Sequence, residues 1–347
     1  MLMTQLRRTA AAAALIMMSA AAVAGSSSTK EPALKGPFSQ LVAFSGSLSD
    51  TGNHASVNGD MPPPFFMNRT SNGPVAIDIL ASKFGLSSAP SLHVINQVGG
   101  TNYASLHANA AGNLPIDLPA QLRAFFSSHN NIADPKGLYF IFIGANDIVA
   151  ATIEMDEKKS EVFLKNGINE VEKAFRQLHA AGARTFYAPN NVNLGRTPVT
   201  RDFGLSERAT KKTQDFNLRW ELLMRRLERE LNVTIYRFDF YRYIEDIFPI
   251  VDKLGFTNVT QSCLALQSQG LCDLDRFGFL TELLPTKRIH DLLGNALSIA
   301  LIEQLSSPVC SSGHRCGRKG LDTSYSIIDL STSFNFSNLA AGQDLED

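Results

Sequence analysis

None of the seven histidines in this 347-residue chain has an aspartate or glutamate three residues before it. The short Asp-x-x-His spacing, in which a carboxylate orients an imidazole as a general base, is therefore missing. Cysteine is scarce. The four present, Cys263, Cys272, Cys310 and Cys316, form no C-x-x-C pair, and only His314 lies near any of them. That spacing argues against a structural zinc site, and no cofactor or metal motif is found elsewhere. The net charge is −1, with no run of like charge. A nucleic-acid footprint and a charged binding tail are excluded with it. The apolar run at residues 10–24 is mostly alanine and about 15 residues long, short of the roughly 20 that a membrane span needs.

What is present is a chain with 44% hydrophobic and 19% charged residues, enough for one large core. Arg7 and Arg8 precede the alanine-rich run, and Ala22-Val23-Ala24 precedes Gly25. That order is the pattern of a cleaved secretory signal over residues 1–24. The expected location is therefore secreted, periplasmic or extracellular, with no membrane span once the signal is removed. Residues 25–37 read as a polar linker and residues 38–305 as the main domain. Residues 306–347 read as a serine-rich extension with a small cystine loop. An even cysteine count in an exported chain predicts disulfides. Three pairings are possible, and Cys263–Cys272 with Cys310–Cys316 is the local one. N-x-S/T sequons stand at Asn68, Asn232, Asn258 and Asn335.

The stretch 41–53 organises the rest. Leu41-Val42-Ala43-Phe44 is a short apolar run that breaks into small residues around Ser47. Residues 54–74 read as a long loop, 75–84 as a helix and 86–116 as irregular. A short helix follows at 119–126. Residues 138–143, LYFIFI, read as a strand buried on both faces. Residues 160–181 predict a helix ended by Gly182, and 184–188 another strand. An amphipathic helix covers 207–231, with Phe216, Trp220, Leu223, Met224 and Leu227 on its inner face. Residues 234–240 predict a strand and 241–248 a helix. The last helix runs to about residue 305, with Pro285 at its start. Alternating strands and helices argue for a parallel sheet covered on both faces, with ligands at the carboxyl ends of its strands. Ser47 and Asn146 each follow a predicted strand, so both fall on that rim.

With these elements in order, the sequence resembles the GDSL family of SGNH-type esterases and lipases. Phe44-Ser45-Gly46-Ser47-Leu48-Ser49-Asp50-Thr51-Gly52-Asn53 is similar to F-G-D-S-L-S-D-T-G-N. Asn72-Gly73-Pro74, the GGTNYA opening at Gly99, Gly144-Ala145-Asn146-Asp147 and the Gly255–Thr260 segment before Cys263 follow in the family's order. The resemblance implies a three-layer α/β/α fold, flavodoxin-like, with a mostly parallel sheet. It implies Ser47 as nucleophile and Asn146 as an oxyanion donor.

The match then departs from the family pattern. Ser45 and Gly46 stand for glycine and aspartate. After GGTNYA, the expected glycine pair is Leu106-His107, although a different register would make Gly99 or Gly100 the donor. Before Pro285-Thr286, the family's D-x-x-H becomes Thr281-Glu282-Leu283-Leu284. Thr281 replaces the aspartate and Leu284 the histidine. His290 lies six residues beyond Leu284, about 9 Å along a helix, outside the hydrogen-bond reach a base needs. His107 is the other imidazole to consider, and Glu282 points elsewhere by register. The expectation is an exported relative, inactive or severely impaired, with a cleft for an acyl-ester, lipid or glycan ligand. The alternative is an active carboxylic-ester hydrolase using Ser47 with a rearranged base. Residues 62–66 and 145–153 offer apolar edges for an acyl chain.

Overall fold

The computed structural model describes residues 36–306. The expected signal segment, most of the expected linker, residues 307–347 of the expected C-terminal extension, and with them Cys310, Cys316 and Asn335, lie outside the described residues.

Four parallel strands, β1 (Leu41–Ser45), β2 (Leu138–Phe142), β3 (Thr185–Tyr187) and β4 (Thr234–Tyr236), lie side by side in that order. Ala43 stands opposite Phe140, and Tyr187 opposite both Phe140 and Tyr236. A further segment extends the sheet beyond β1. Ala43 N–H donates to the Thr101 carbonyl at 3.0 Å, and Tyr103 N–H to the Ala43 carbonyl at 2.8 Å. Residues 101–103, expected to be irregular, thus run alongside β1 as a short parallel edge. With that edge, the strand order is the doubly wound one of flavodoxin-like sheets.

The helices are α1 (Asn53–Asn58), α2 (Ala76–Lys83), α3 (Leu118–Ser128), α4 (Ala145–Ile153), α5 (Glu157–Ala181), α6 (Pro198–Asp202), α7 (Ser206–Leu231), α8 (Phe240–Ile247), α9 (Cys263–Leu266) and α10 (Lys287–Ser306). Successive β1 side chains point to opposite faces. Val42 and Phe44 pack with α3, α4, α5 and α7, whereas Leu41 and Ala43 pack with α2, α8 and α10. Each face of the sheet is therefore buried under helices, and the β2 run LYFIF is fully buried. The five inner-face residues of α7 are all buried, as their i, i+4, i+7 spacing requires.

Several boundaries differ from expectation. The strand expected over 234–240 ends at Tyr236, and the following helix begins at Phe240. Helix α5 begins three residues early because the Asp156 side chain accepts the Lys158 and Lys159 N–H groups as its N-cap. Helix α10 begins at Lys287, two residues after Pro285. Helix α1 occupies the start of the expected 54–74 loop. A second, two-stranded parallel pair, β5 (Asn258–Ser262) and β6 (Phe277–Phe279), was not expected. Its strands hold too few alternating apolar residues to stand out. The Cys263–Cys272 disulfide closes the segment between them.

Candidate functional site

The chain leaves β1 at Ser45, turns at Gly46 and forms one 3-10 turn, Ser47–Ser49. The turn is held from below. Ser45 Oγ donates to the Phe142 carbonyl at 2.6 Å and pairs with Ser49 Oγ at 2.9 Å. Gln121 accepts the Ser45 N–H at 3.1 Å and donates to its carbonyl at 2.9 Å. Thr70 Oγ1 donates to the Ser47 carbonyl at 2.5 Å. A Cβ at Gly46 would meet only the Ala108 carbonyl oxygen, at 3.5 Å. Sterics therefore do not demand glycine there.

Ser47 Oγ accepts a hydrogen bond from the His107 backbone N–H at 3.2 Å. His107 has φ of 68°, in the left-handed region that favours glycine. The backbone expected of a glycine is retained while the side chain is an imidazole. Three carboxylates hold this loop by its amides. Asp50 accepts Leu106 N–H at 2.8 Å, Asp117 accepts Asn109 N–H at 2.8 Å, and Asp147 accepts those of Ala110 and Ala111 at 2.7 and 2.9 Å. Asn146 Nδ2 donates to the Ala108 carbonyl at 2.7 Å, which fixes its side chain against the same loop. Burial pushes the Asp147 carboxyl up to about 6, against the pull of the two amides it accepts. The roles of Asp50, Asp117 and Asp147 were not read from the sequence. The available signals were an aspartate opening the turn Asp50-Thr51-Gly52-Asn53 and one in the first turn of a helix.

The facing wall is the turn from Thr281 to Pro285. Thr281 Oγ1 accepts Leu284 N–H at 3.1 Å, and Leu280 N–H donates to the Leu284 carbonyl at 2.8 Å. Leu284 is only 7% exposed. Glu282 is exposed, its carbonyl accepts Val199 N–H at 3.2 Å, and it lines the cleft, although its register was expected to point it elsewhere. Ser47, Leu106, His107, Asn146, Thr281 and Leu284 thus line one cleft of about 420 Å³. Its remaining wall is mainly apolar, from α4 (Val149), α8 (Ile244, Ile247) and α10 (Ile289, Leu293). Of the residues 62–66, none lines it.

Gly99 and Gly100 lie away from the cleft. Their amides donate to the Ser91 and Pro90 carbonyls at 2.9 and 2.7 Å. A Cβ on Gly100 would fall 2.2 Å from the Ala89 carbonyl oxygen, so glycine there answers a close backbone approach. His290 is fully buried, and its Nδ1 accepts Ala76 N–H at 3.1 Å. Burial holds its pKa down to about 4. It ties α10 to α2 and does not line the cleft. His107 is the imidazole in the lining. Burial, then the neighbouring His54 ring 6.2 Å away, lowers its pKa, so it is neutral near pH 7.

His290 carries a pH prediction. Its folded pKa lies below the unfolded value of about 6.5. Below pH 6.5 the unfolded chain binds the proton and the folded chain does not. Stability is therefore lost as pH falls from about 6.5 towards 4, by on the order of 3 kcal/mol. Urea midpoints of wild type and His290→Gln at pH 7.0 and 4.5 check this. The difference between the two proteins should shrink at the lower pH, because Gln carries no such penalty. A pH-independent difference would sink the assignment.

Comparison with known proteins places these observations. A family model described as GDSL-like Lipase/Acylhydrolase matches residues 41–297. "Lipase 1" of Photorhabdus luminescens is 30% identical over 175 residues, which is 49% of this chain and 25% of that protein. A phosphatidylcholine-sterol acyltransferase of Aeromonas hydrophila is 26% identical over 237 residues, covering 65% of each chain. A GDSL esterase/lipase of Arabidopsis thaliana is 25% identical over 272 residues, covering 64% of this chain and 72% of that one. The chain thus spans a quarter of the first and about two thirds of the second. Among solved structures, the acetylxylan esterase Axe2 of Geobacillus stearothermophilus superposes with a TM-score of 0.42 at 12% identity, covering 76% of this chain and 94% of that one.

Proposed function

Because the chain belongs to the GDSL-like lipase/acylhydrolase family, we propose that it is an exported ester-hydrolase relative that has lost most or all of its turnover and keeps the cleft. The observation that carries this reading is the pair Thr281 and Leu284. The sequence resemblance assigns them to the positions of the family's aspartate and histidine, and both line the cleft with Ser47. A leucine accepts no proton, and the Thr281 hydroxyl is occupied by its own turn. Ser47 then keeps a hydroxyl that is a poor nucleophile near pH 7.

The rest of the reaction apparatus is proposed to survive in part. The His107 N–H already meets Ser47 Oγ, and Asn146 has a second amide hydrogen beyond the one given to Ala108. Both would serve a developing oxyanion. The names of the relatives indicate acyl esters as the ligand class. Export rests on the signal pattern in residues 1–24, with 25–37 as linker and 306–347 as an extension beyond one domain. Among the described residues, no helix is long and apolar enough to cross a membrane.

Hydrolysis of nitrophenyl butyrate and octanoate by wild type and Ser47→Ala tests the reading. The expected result is a wild-type rate close to that of Ser47→Ala. Ser47-dependent turnover well above that background would sink it.

One observation favours a second reading, a working hydrolase with His107 as base: this neutral imidazole lines the cleft that holds Ser47. That reading requires activity lost in both Ser47→Ala and His107→Ala. The activity must also persist to lower pH than a free imidazole base would allow, because burial and the His54 ring lower the His107 pKa.

A further inference from the structure

The charge pattern of the cleft points to the ligand, an inference that rests on the base-less acyl site described above. We propose that the cleft retains a long-chain carboxylate, the anion of a fatty acid. Three features support that class together.

First, three groups around Ser47 can donate hydrogen bonds to a ligand, beside the neutral His107 ring in the lining. They are the His107 N–H, the second hydrogen of the Asn146 amide and the Ser47 hydroxyl. A carboxylate oxygen accepts from all three, whereas an alcohol or an ester offers weaker acceptors without charge. Second, the family pattern would set a carboxylate beside the nucleophile and another behind the histidine. Here those positions are Gly46 and Thr281. In a low-dielectric cleft, two such charges would oppose a bound anion, and both are gone.

Third, most of the acidic groups that remain are committed. Asp50 and Asp147 are buried and accept backbone N–H groups. Glu245 pairs with Arg196 at 2.7 Å. Glu282 lines the rim of the cleft from the exposed turn, where solvent screens its charge. Beyond these groups the cleft is apolar along α8 and α10, through Ile244, Ile247, Ile289 and Leu293, which suits an alkyl chain. An intact enzyme releases its acid product. The same site stripped of its two carboxylates and its base holds that product as a ligand.

Calorimetric titration of the purified chain with decanoate, decanol and methyl decanoate tests the proposal. Decanoate is expected to bind about tenfold or more tightly than decanol. Thr281→Asp, which returns one carboxylate to the wall, should weaken decanoate about tenfold and leave decanol within about twofold. If Thr281→Asp does not fold, Asn146→Ala should erase the preference for decanoate by removing a donor. Equal affinity for decanoate and decanol in wild type would overturn the proposal, as would binding of neither. A decanoate preference unchanged in the folded variant would do the same. Release of decanoate from methyl decanoate, read in the same samples against Ser47→Ala, separates the two readings. Ser47-dependent release sinks the impaired-hydrolase reading and leaves the anion preference to stand or fall on the titration.

Discussion

Thr281→Asp combined with Leu284→His is expected to raise Ser47-dependent ester hydrolysis by about 10²- to 10⁴-fold over wild type, the range that a positioned general base contributes. The two positions already meet across one turn, where Thr281 Oγ1 accepts Leu284 N–H. Both line the cleft that holds Ser47 and Asn146. An imidazole at 284 would enter the space now filled by the leucine side chain, and a carboxylate three residues earlier would fix its tautomer. Leu284→His alone should give a smaller gain, because an unoriented imidazole spends part of its time away from Ser47. Thr281→Asp alone should give none. The measurement is nitrophenyl butyrate hydrolysis by the single and double variants, each also carrying Ser47→Ala as a control, with circular dichroism to establish folding. A folded double variant without Ser47-dependent turnover would place the defect elsewhere, in the 281–284 register or in the His107 side of the site.

Asp50→Ala is expected to be the most damaging single change to stability, costing on the order of 4 kcal/mol or abolishing folding. The Asp50 carboxylate is fully buried and accepts four backbone N–H groups. Three, from Gly52, Asn53 and His54, build the turn into α1. The fourth, from Leu106 at 2.8 Å, comes from the loop that carries His107. Removing the acceptor strands these buried donors at about 1–3 kcal/mol each, less what water recovers on entering. That is a large part of the about 5–15 kcal/mol that holds a domain. Asn is not a safe replacement, since its NH₂ would face two N–H donors from His54 and Leu106. Urea unfolding of Asp50→Ala and Asp50→Asn reads the effect. A loss under about 1 kcal/mol in both would show that the loop is held by Asp117 and Asp147 instead.

Much of this architecture was legible because it is local. The β2 run LYFIF is too apolar to lie anywhere but between two layers, and the spacing of Phe216, Trp220 and Leu223 assigns one face of α7 to the core. Ser47 and Asn146 were legible as partners because each follows a strand of one parallel sheet. The cystine between Cys263 and Cys272 was among the pairings that sequence allowed, and spatial proximity selected it. The edge at residues 101–103 was not legible. It earns its place by pairing with β1, and its own residues carry no alternating pattern. The β5–β6 pair was missed for the same reason, since Asn258, Thr260 and Gln261 do not mark a strand by composition.

The sequence by itself pointed to the family, to a parallel sheet covered on both faces and to the absence of any Asp-x-x-His spacing. The first rests on resemblance of ordered motifs, the second on the alternation of strand and helix patterns and the third on residue identity, none of which needs coordinates. Only the tertiary structure decided which backbone amide meets Ser47. Gly99 and Gly100 had the right chemistry but are used up by pairing with residues 90 and 91. His107 had the wrong side chain but the right backbone, because Asp50, Asp117 and Asp147 hold its loop at a positive φ against the nucleophile turn. A hydrogen bond between residues 60 positions apart depends on where three buried carboxylates converge, and that convergence exists only after the sheet has formed.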